Sequence, residues 1–171
     1  MDMENKMRGI KISKVTVNMG VGPEPNEMKT AQKIIEKLTG NKAIKTKCKV
    51  RQPKWGIRPG LPIGLKVTLR NSNAEDFLKR GIAAKGNELK ATSFDNQGNF
   101  GFGIQEYIDM PDIKYDPTLG VRGFDVLVTL ERPGFRIKRR KIKNHKVGTA
   151  HTISKEEAME FVQKKFEVVF E

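Results

Sequence analysis

The sequence predicts an α+β fold: a single two-layer domain, residues 1–171, with a mostly antiparallel β-sheet, helices packed on one face and long basic loops. Three observations indicate this class. Several segments alternate apolar and polar residues, others carry apolar stripes at helical spacing, and cationic stretches rich in Pro and Gly separate them. A chain of 171 residues is long enough to bury one substantial core.

The N-terminal part predicts a strand followed by a helix, after a loose segment at residues 1–9. The strand covers 14–19, with the inward positions Val15, Val17 and Met19. Ile10 and Ile12 have the wrong parity for this register, so a bulge or a late strand start is expected near Ser13. Asn26 is the expected N-cap of a helix that runs to about Thr39, with Gly40 as its C-cap.

Residues 41–70 contain two alternating segments joined by a basic loop, and they lack Asp and Glu. In the first segment one side carries Ile44, Thr46, Cys48 and Val50, and the other side carries Lys45, Lys47, Lys49 and Arg51. In the second segment Ile63, Leu65, Val67 and Leu69 alternate with Gly64, Lys66, Thr68 and Arg70. We therefore expect two half-buried antiparallel strands and, between them, a loop carrying Lys54, Arg58 and the single Trp of the chain, Trp55.

The middle of the chain predicts a second helix and a hairpin. A capping box at 72–75 starts the helix, Phe77, Leu78 and Ile82 form its buried side, and Gly86 is expected to end it. Residues 95–98, Asp-Asn-Gln-Gly, are typical of a tight turn. The flanking phenylalanines Phe94, Phe100 and Phe102 could stack on bases, but packing of their rings on the core is the favoured interpretation.

The C-terminal part predicts a central strand, a basic loop extension and a last helix. The strand covers 123–130, with Phe124, Val126, Val128 and Leu130 on one face. Residues 132–153 are called the extension below. They carry a second basic cluster, Arg136, Lys138, Arg139, Arg140 and Lys141. Contact of this cluster with RNA is favoured over a run of charges that is merely solvated. A capping box at 154–157 begins the C-terminal helix and tail, 154–171, in which Ala158, Phe161 and Val162 are expected inward.

Composition narrows the function to binding of a polyanion. The net charge of +13 calls for an anionic partner, and RNA fits best. One Cys and two His at unsuitable spacing predict no disulfide, no zinc site, no cofactor and no enzyme activity. No apolar run has membrane-spanning length and no signal peptide is recognised, so we expect a protein of the cytoplasm without a membrane partner.

Several motifs, in order along nearly the whole chain, resemble one family. They are VTVNMGVG, LTGNKA, PKWGIRPGLPIGLKVTLR, SFDNQGNFGFGIQEY, IKYDPTLGVRGFDV and RPGF followed by ISKEEAM. They resemble the 5S-rRNA-binding ribosomal protein, counted fifth in the bacterial large subunit and eleventh in eukaryotes. The RPGF segment and the KEEAM helix are similar to archaeal and eukaryotic members.

The resemblance implies a structural constituent of the large ribosomal subunit that attaches 5S rRNA in the central protuberance. It implies as partners 5S rRNA, 23S-type rRNA, the P-site tRNA, small-subunit ribosomal protein thirteen across an intersubunit bridge, and neighbouring large-subunit proteins. The family's 5S-contacting positions correspond to Asn18, Asn41, Trp55 and Thr68, where Asn41 and Trp55 stand in place of the more usual Gln and Phe. The outward basic positions Lys47, Lys49 and Lys66 are expected to join them, and the tRNA-facing loop corresponds to Arg51, Lys54 and Arg58.

Two other functions remain to be distinguished. A nucleic-acid-processing enzyme would need clustered carboxylates or a metal site. A basic protein-interaction module acting off the ribosome would bring down protein without RNA.

Overall fold

The structure, a computed structural model, describes residues 5–111 and 113–171; part of the expected loose N-terminus, residues 1–4, lies outside this range. The strands in chain order are β1 (Lys11–Gly20), β2 (Ile44–Lys47), β3 (Pro62–Leu69), β4 (Glu88–Leu89), β5 (Phe100–Ile104), β6 (Phe124–Glu131) and β7 (Val169–Phe170). The helices are α1 (Pro25–Thr39), α2 (Asn71–Ala84), α3 (Arg136–Arg139) and α4 (Lys155–Phe166). The predicted α+β class is confirmed.

Five strands form an antiparallel sheet in the order β2-β3-β1-β6-β5, so that β1 lies at its centre. Val17 stands opposite Val67 on one side and Val126 on the other, and Val17 is fully buried. The register shifts between Ile12 and Lys14, which confirms the bulge expected near Ser13. The inward parity predicted for this strand is therefore correct.

Helices α1 and α2 cover one face of the sheet. The apolar stripe of α1 is buried through Met28, Ala31, Ile34, Ile35 and Leu38. On α2, the ring of Phe77 lies 6.4 Å from that of Phe124 in β6. Gly81 of the same helix packs on β5, where a β-carbon would stand 3.5 Å from the Phe102 ring. The opposite face of the sheet carries exposed or half-exposed side chains and is called the open face below.

The expectation that β2 is half-buried is wrong. Its Ile44 is 65% exposed, and none of its four residues is buried. The register explains this, because Ile44 stands opposite Lys66 and Lys45 opposite Leu65. Residues directly opposite in a ladder share a face, so Ile44 belongs to the open face. Strand β2 is the edge of the sheet and pairs only with β3.

Two predicted helix starts are also wrong. Helix α1 begins at Pro25 with Glu24 as N-cap, not at Asn26, because proline at the first helical position needs no backbone donor. Helix α2 begins at Asn71 with Arg70 as N-cap, so Ser72 forms no capping box. The other ends agree with expectation: Gly40 adopts the left-handed C-cap conformation, and α2 ends two residues before Gly86.

The phenylalanine-rich segment is a hairpin packed on the core, as favoured. Asp95 closes the turn through its carboxylate, which accepts the backbone N–H of Gln97 at 2.8 Å and of Asn99 at 2.7 Å. The rings of Phe94 and Phe100 stack with centroids 4.7 Å apart, and both residues are buried. Base stacking by these rings is thereby excluded.

The C-terminal helix α4 and the strand after it pack on the core near the hairpin. The capping box predicted at its start is present, with Ser154 and Glu157 exchanging hydrogen bonds with each other's backbone. Ala158 and Val162 are fully buried, whereas Phe161 is half-buried. The last strand, β7, pairs in parallel with β4 and brings Phe170 edge-on to Phe94 at 5.6 Å.

Candidate RNA interface

The open face presents rows of side chains set by the strand register. One row runs across all five strands through Ile44, Lys66, Asn18, Asp125 and Gly103. A neighbouring row contains Thr68, Thr16, Leu127 and Gly101. The structure therefore brings together three of the predicted RNA-contacting residues, Asn18, Lys66 and Thr68, on a surface that no described helix covers.

Two carboxylates interrupt the basic and neutral character of this face. Asp125 lies beside Asn18, whose amide nitrogen is 3.5 Å from a carboxylate oxygen. Glu131, at the far end of β6, accepts a 2.6 Å bond from Arg139 and is neutralised by it. Asp125 thus presents negative charge near the predicted contacts, and Lys66 lies two strands away in the same row.

The basic loop between β2 and β3 continues the ladder of those strands. Cys48 and Leu61 are joined by a 2.8 Å backbone bond, and the carbonyl of Cys48 also accepts the N–H of Gly60 at 2.9 Å. Further out, Gln52 and Ile57 exchange two backbone bonds of 3.0 and 3.1 Å. These bonds hold the tip of the loop away from the sheet as a hairpin-like projection.

The tip of this projection exposes Trp55 on a single turn of 3₁₀ helix, residues Pro53–Trp55. The indole is 70% exposed, so it is not part of the core. Arg51, Lys54 and Arg58 lie in the same loop and are exposed as well. An aromatic ring framed by cations is the usual platform for a base or ribose.

The remaining predicted contacts lie near β2. Lys47 follows an irregularity in the ladder, stands opposite Pro62 and is exposed. Lys49 lies beyond the strand and is exposed. Asn41 is exposed just after α1, where its amide donates to the carbonyl of Thr39 at 3.2 Å. Within the described residues, no hydrogen bond joins Asn41 to the open face.

The second basic cluster lies on the extension and is exposed throughout. Arg136, Lys138 and Arg139 belong to the short helix α3, and Arg140 and Lys141 follow it. Two of the five are engaged within the protein: Arg139 binds Glu131, and Nε of Arg140 donates to the carbonyl of Lys143 at 2.7 Å. Arg136, Lys138 and Lys141 therefore project their charge to solvent.

Sequence reasoning missed the residue that anchors the extension. Arg132 is 5% exposed and donates to Glu157 at 2.8 Å and, more weakly, to the carbonyl of Thr152 at 3.4 Å. The backbone N–H of Ser154 and the guanidinium of Arg132 hold the pKa of the Glu157 carboxyl below its ordinary value. The partners lie 25 residues apart, and no local pattern connects them.

The part of the chain that the structure describes contains no group of three His, Cys, Asp or Glu side chains arranged to hold a metal ion. In the same residues no helix combines the length and apolar character that crossing a membrane requires. Neither the open face nor the projection contains a paired nucleophile and base. The arrangement of these surfaces is suited to contact with phosphates, riboses and exposed bases.

Comparison with known proteins identifies similar sequences along almost the whole chain. Residues 5–58 match the family described as ribosomal protein L5, and residues 62–161 match the model for the C-terminus of that ribosomal family. The junction between the two matches, residues 59–61, falls in the loop between β2 and β3. The N-terminal match thus covers the first two strands and most of the projection.

Individual relatives agree with the family matches. The large ribosomal subunit protein uL5 of Nanoarchaeum equitans is 50% identical over 167 residues, which cover 97% of this chain and 98% of the relative. The protein of the same name from Methanococcus vannielii is 49% identical over 170 residues, covering 96% and 94%. That of Methanococcus maripaludis strain C6 is 48% identical over 164 residues, covering 94% and 91%.

Proposed function

Because the chain belongs to the uL5 family of ribosomal proteins, in its archaeal form, we propose that it binds 5S rRNA and attaches it to the rest of the large ribosomal subunit. Membership of the family makes it a non-enzymatic, RNA-binding structural constituent of that subunit, and its place is the cytoplasmic ribosome. The finer assignment, to 5S rRNA in the central protuberance, is the proposal.

The main support for this proposal is the chemistry of the open face. Asn18, Lys66 and Thr68 lie on adjacent strands of one uncovered surface, while the valines next to them in sequence fill the core. Amide, hydroxyl and ammonium groups at cross-strand spacing suit the phosphates and 2′-hydroxyls of a folded RNA. The basic projection extends this surface, since residues 37–74 contain no acidic residue that would repel RNA.

A charge-matched pair of variants tests the assignment. Lys66→Gln removes one cation from the open face, and Lys29→Gln removes one from the exposed side of α1, in the layer that covers the other face. We expect Lys66→Gln to weaken binding to 5S rRNA and to lower the slope of log K against log salt by about one phosphate contact. Lys29→Gln should leave both unchanged. Equal losses for the two variants would mean that attraction is diffuse, and the assignment would fail.

The projection is proposed to face the P-site tRNA. Its support is the exposed set of Arg51, Lys54 and Arg58 in a hydrogen-bonded arm. Arg58→Ala should therefore preserve binding to free 5S rRNA and reduce tRNA occupancy in reassembled subunits. If 5S binding falls and tRNA occupancy does not, Arg58 contacts 5S rRNA instead.

The proposed partners also include 23S-type rRNA, neighbouring large-subunit proteins and, across the subunit interface, small-subunit protein thirteen. The last assignment follows from the family likeness alone. Cross-linking of the assembled ribosome tests it, with cross-links between the chain and the small subunit as the expected result. Recovery of protein partners without RNA would favour an interaction module acting off the ribosome.

A further inference from the structure

A cavity of about 480 Å³ lies where the open face meets the extension. Three parts of the chain line it: the paired ends of β1 and β6, the 95–98 turn with Asn99, and the extension. Its volume lies within the roughly 300–1,000 Å³ of small-molecule sites in proteins. Lys14 and Thr129, which pair across the sheet, belong both to its wall and to the open face, so the two surfaces are continuous.

The walls of this cavity are held in place at both ends of the extension. Arg132 fixes the start through its bonds to Glu157 and Thr152. The fully buried Ile153 fixes the end against the hairpin turn, at Gly98. Gly98 has a φ of +76°, and a β-carbon there would stand 2.6 Å from the side chain of Ile153, so only glycine permits this contact. The cavity is therefore built into the fold before any ligand arrives.

The lining divides into an apolar part and a polar rim. Leu130, Phe135 and Val147 form the apolar part, and the Phe135 ring is braced edge-on by His151 at 5.8 Å. The amides of Gln97 and Asn99 lie opposite the extension, and Asn99 is oriented by a 2.9 Å bond from its nitrogen to Asp95. The rim carries Lys14, Lys138 and Lys146, together with the mutually neutralised Glu131 and Arg139.

We propose that this cavity takes a single unstacked nucleotide of ribosomal RNA, with the base against the apolar part and the phosphate among the lysines. Each part of the lining matches one part of a nucleotide: an aromatic wall for the face of the base, amides for its edge and cations for its phosphate. A site for phosphate alone would need no apolar part, and one for an apolar side chain would need no lysines. The inference rests on the proposed function, because an RNA on the open face reaches the cavity past Lys14.

The first test fills the cavity without changing charge. Val147→Trp places an indole inside the lining, and Ile142→Trp adds the same group to the same extension at a residue that is 77% exposed and outside the lining. We expect Val147→Trp to bind 5S rRNA about tenfold more weakly than Ile142→Trp, the effect of losing one stacked base. The salt slope should be lower for Val147→Trp by about one phosphate contact, because excluding the nucleotide also removes its phosphate from among the lysines.

The second test uses the wild-type protein and does not depend on a variant that folds. Methyl resonances of Leu130 and Val147 are followed by NMR during titration with nucleoside monophosphates and, separately, with inorganic phosphate. The ring current of an inserted base should shift both methyls with the nucleotides and with 5S rRNA, but not with phosphate. Shifts with phosphate alone, or at the lysines only, would show an anion site and overturn the proposal.

The two tests separate failure of this inference from failure of the proposed function. If wild-type protein binds 5S rRNA while the Leu130 and Val147 methyls stay fixed and Val147→Trp matches Ile142→Trp, the cavity takes no nucleotide and the proposed function stands. If wild-type protein does not bind 5S rRNA, the proposed function fails. Titration of the Leu130 and Val147 methyls with large-subunit rRNA then decides whether the cavity binds a nucleotide. Shifts of these resonances support the inference, and fixed resonances overturn it.

Discussion

Val17→Ala and Asn18→Ala alter neighbouring residues of β1 that face opposite sides of the sheet, so they separate stability from RNA binding. Val17 is fully buried between Val67 and Val126. Asn18 lies on the open face, where its side chain makes a long bond to Asp125. We expect the first variant to lose stability and keep affinity, and the second to do the reverse.

The magnitudes follow from burial. Val17→Ala removes two buried methyl groups, about 1.6 kcal/mol by transfer, and the cavity left in the β1 ladder raises the loss to about 2–3 kcal/mol. For a chain of this length that corresponds to a melting temperature lower by about 5–10 °C. Asn18→Ala should change stability by less than about 0.5 kcal/mol. If Asn18 bonds to RNA, its loss costs about 0.5–1.5 kcal/mol, a roughly two- to tenfold weaker Kd.

The assay is a thermal melt and a 5S rRNA titration on the same preparations, with the titration well below the melting range. Val67→Ala and Thr68→Ala repeat the comparison on β3, where Val67 is buried and Thr68 exposed. The refuting result is the inverse pattern: early melting of the Asn18 and Thr68 variants together with wild-type melting of the valine variants. The proposed RNA surface would then be part of the core.

Three further outcomes are expected. Trp55→Ala should weaken binding to 5S rRNA by about 1–3 kcal/mol in a filter-binding assay. It should leave the melting temperature unchanged, because the indole is exposed. A lower melting temperature would indicate that the indole has a packing role. Wild-type affinity for 5S rRNA should fall steeply and linearly in log–log form with salt, and a flat response would exclude phosphate contacts. Glu157→Gln should lower stability to urea by about 1 kcal/mol at pH 7. Since the folded-state pKa of Glu157 is lowered, the wild-type advantage should be complete above about pH 5. It should decline below the ordinary carboxyl value near 4.3 and be lost as pH falls through the lowered folded-state pKa. A difference that does not change with pH would assign the effect to packing.

Strand parity was predictable for the interior of the sheet and not for its edge. In β1 and β6 every apolar position except Leu127 is buried, so alternation in the sequence reports burial directly. In β2 the same alternation misleads, because pairing with β3 alone sets its face and puts Ile44 beside Lys66. Alternation gives two possible faces for a strand, and only the partner strand decides between them.

The predicted RNA-contacting residues were also only partly predictable from the sequence. The sequence places Asn18 and Thr68 outward, but it does not reveal that Asn18 stands beside Lys66 and Asp125, since that depends on the register. The cavity could not be predicted at all. Its walls depend on pairs such as Arg132 with Glu157 and Gly98 with Ile153, which are far apart in the chain.

The central position of β1 affects how the chain folds during synthesis. Lys11 and Asn18 are translated early, yet their partners Glu131 and Asp125 follow more than a hundred residues later. Contacts of such long sequence separation form slowly, because the intervening chain must first be ordered. Once residues 41–70 are made, β1 can pair with β3 on one side, but its other edge stays unpaired until β6 follows. Until β6 is made, this protein has its cationic segment with only part of the sheet that arranges it.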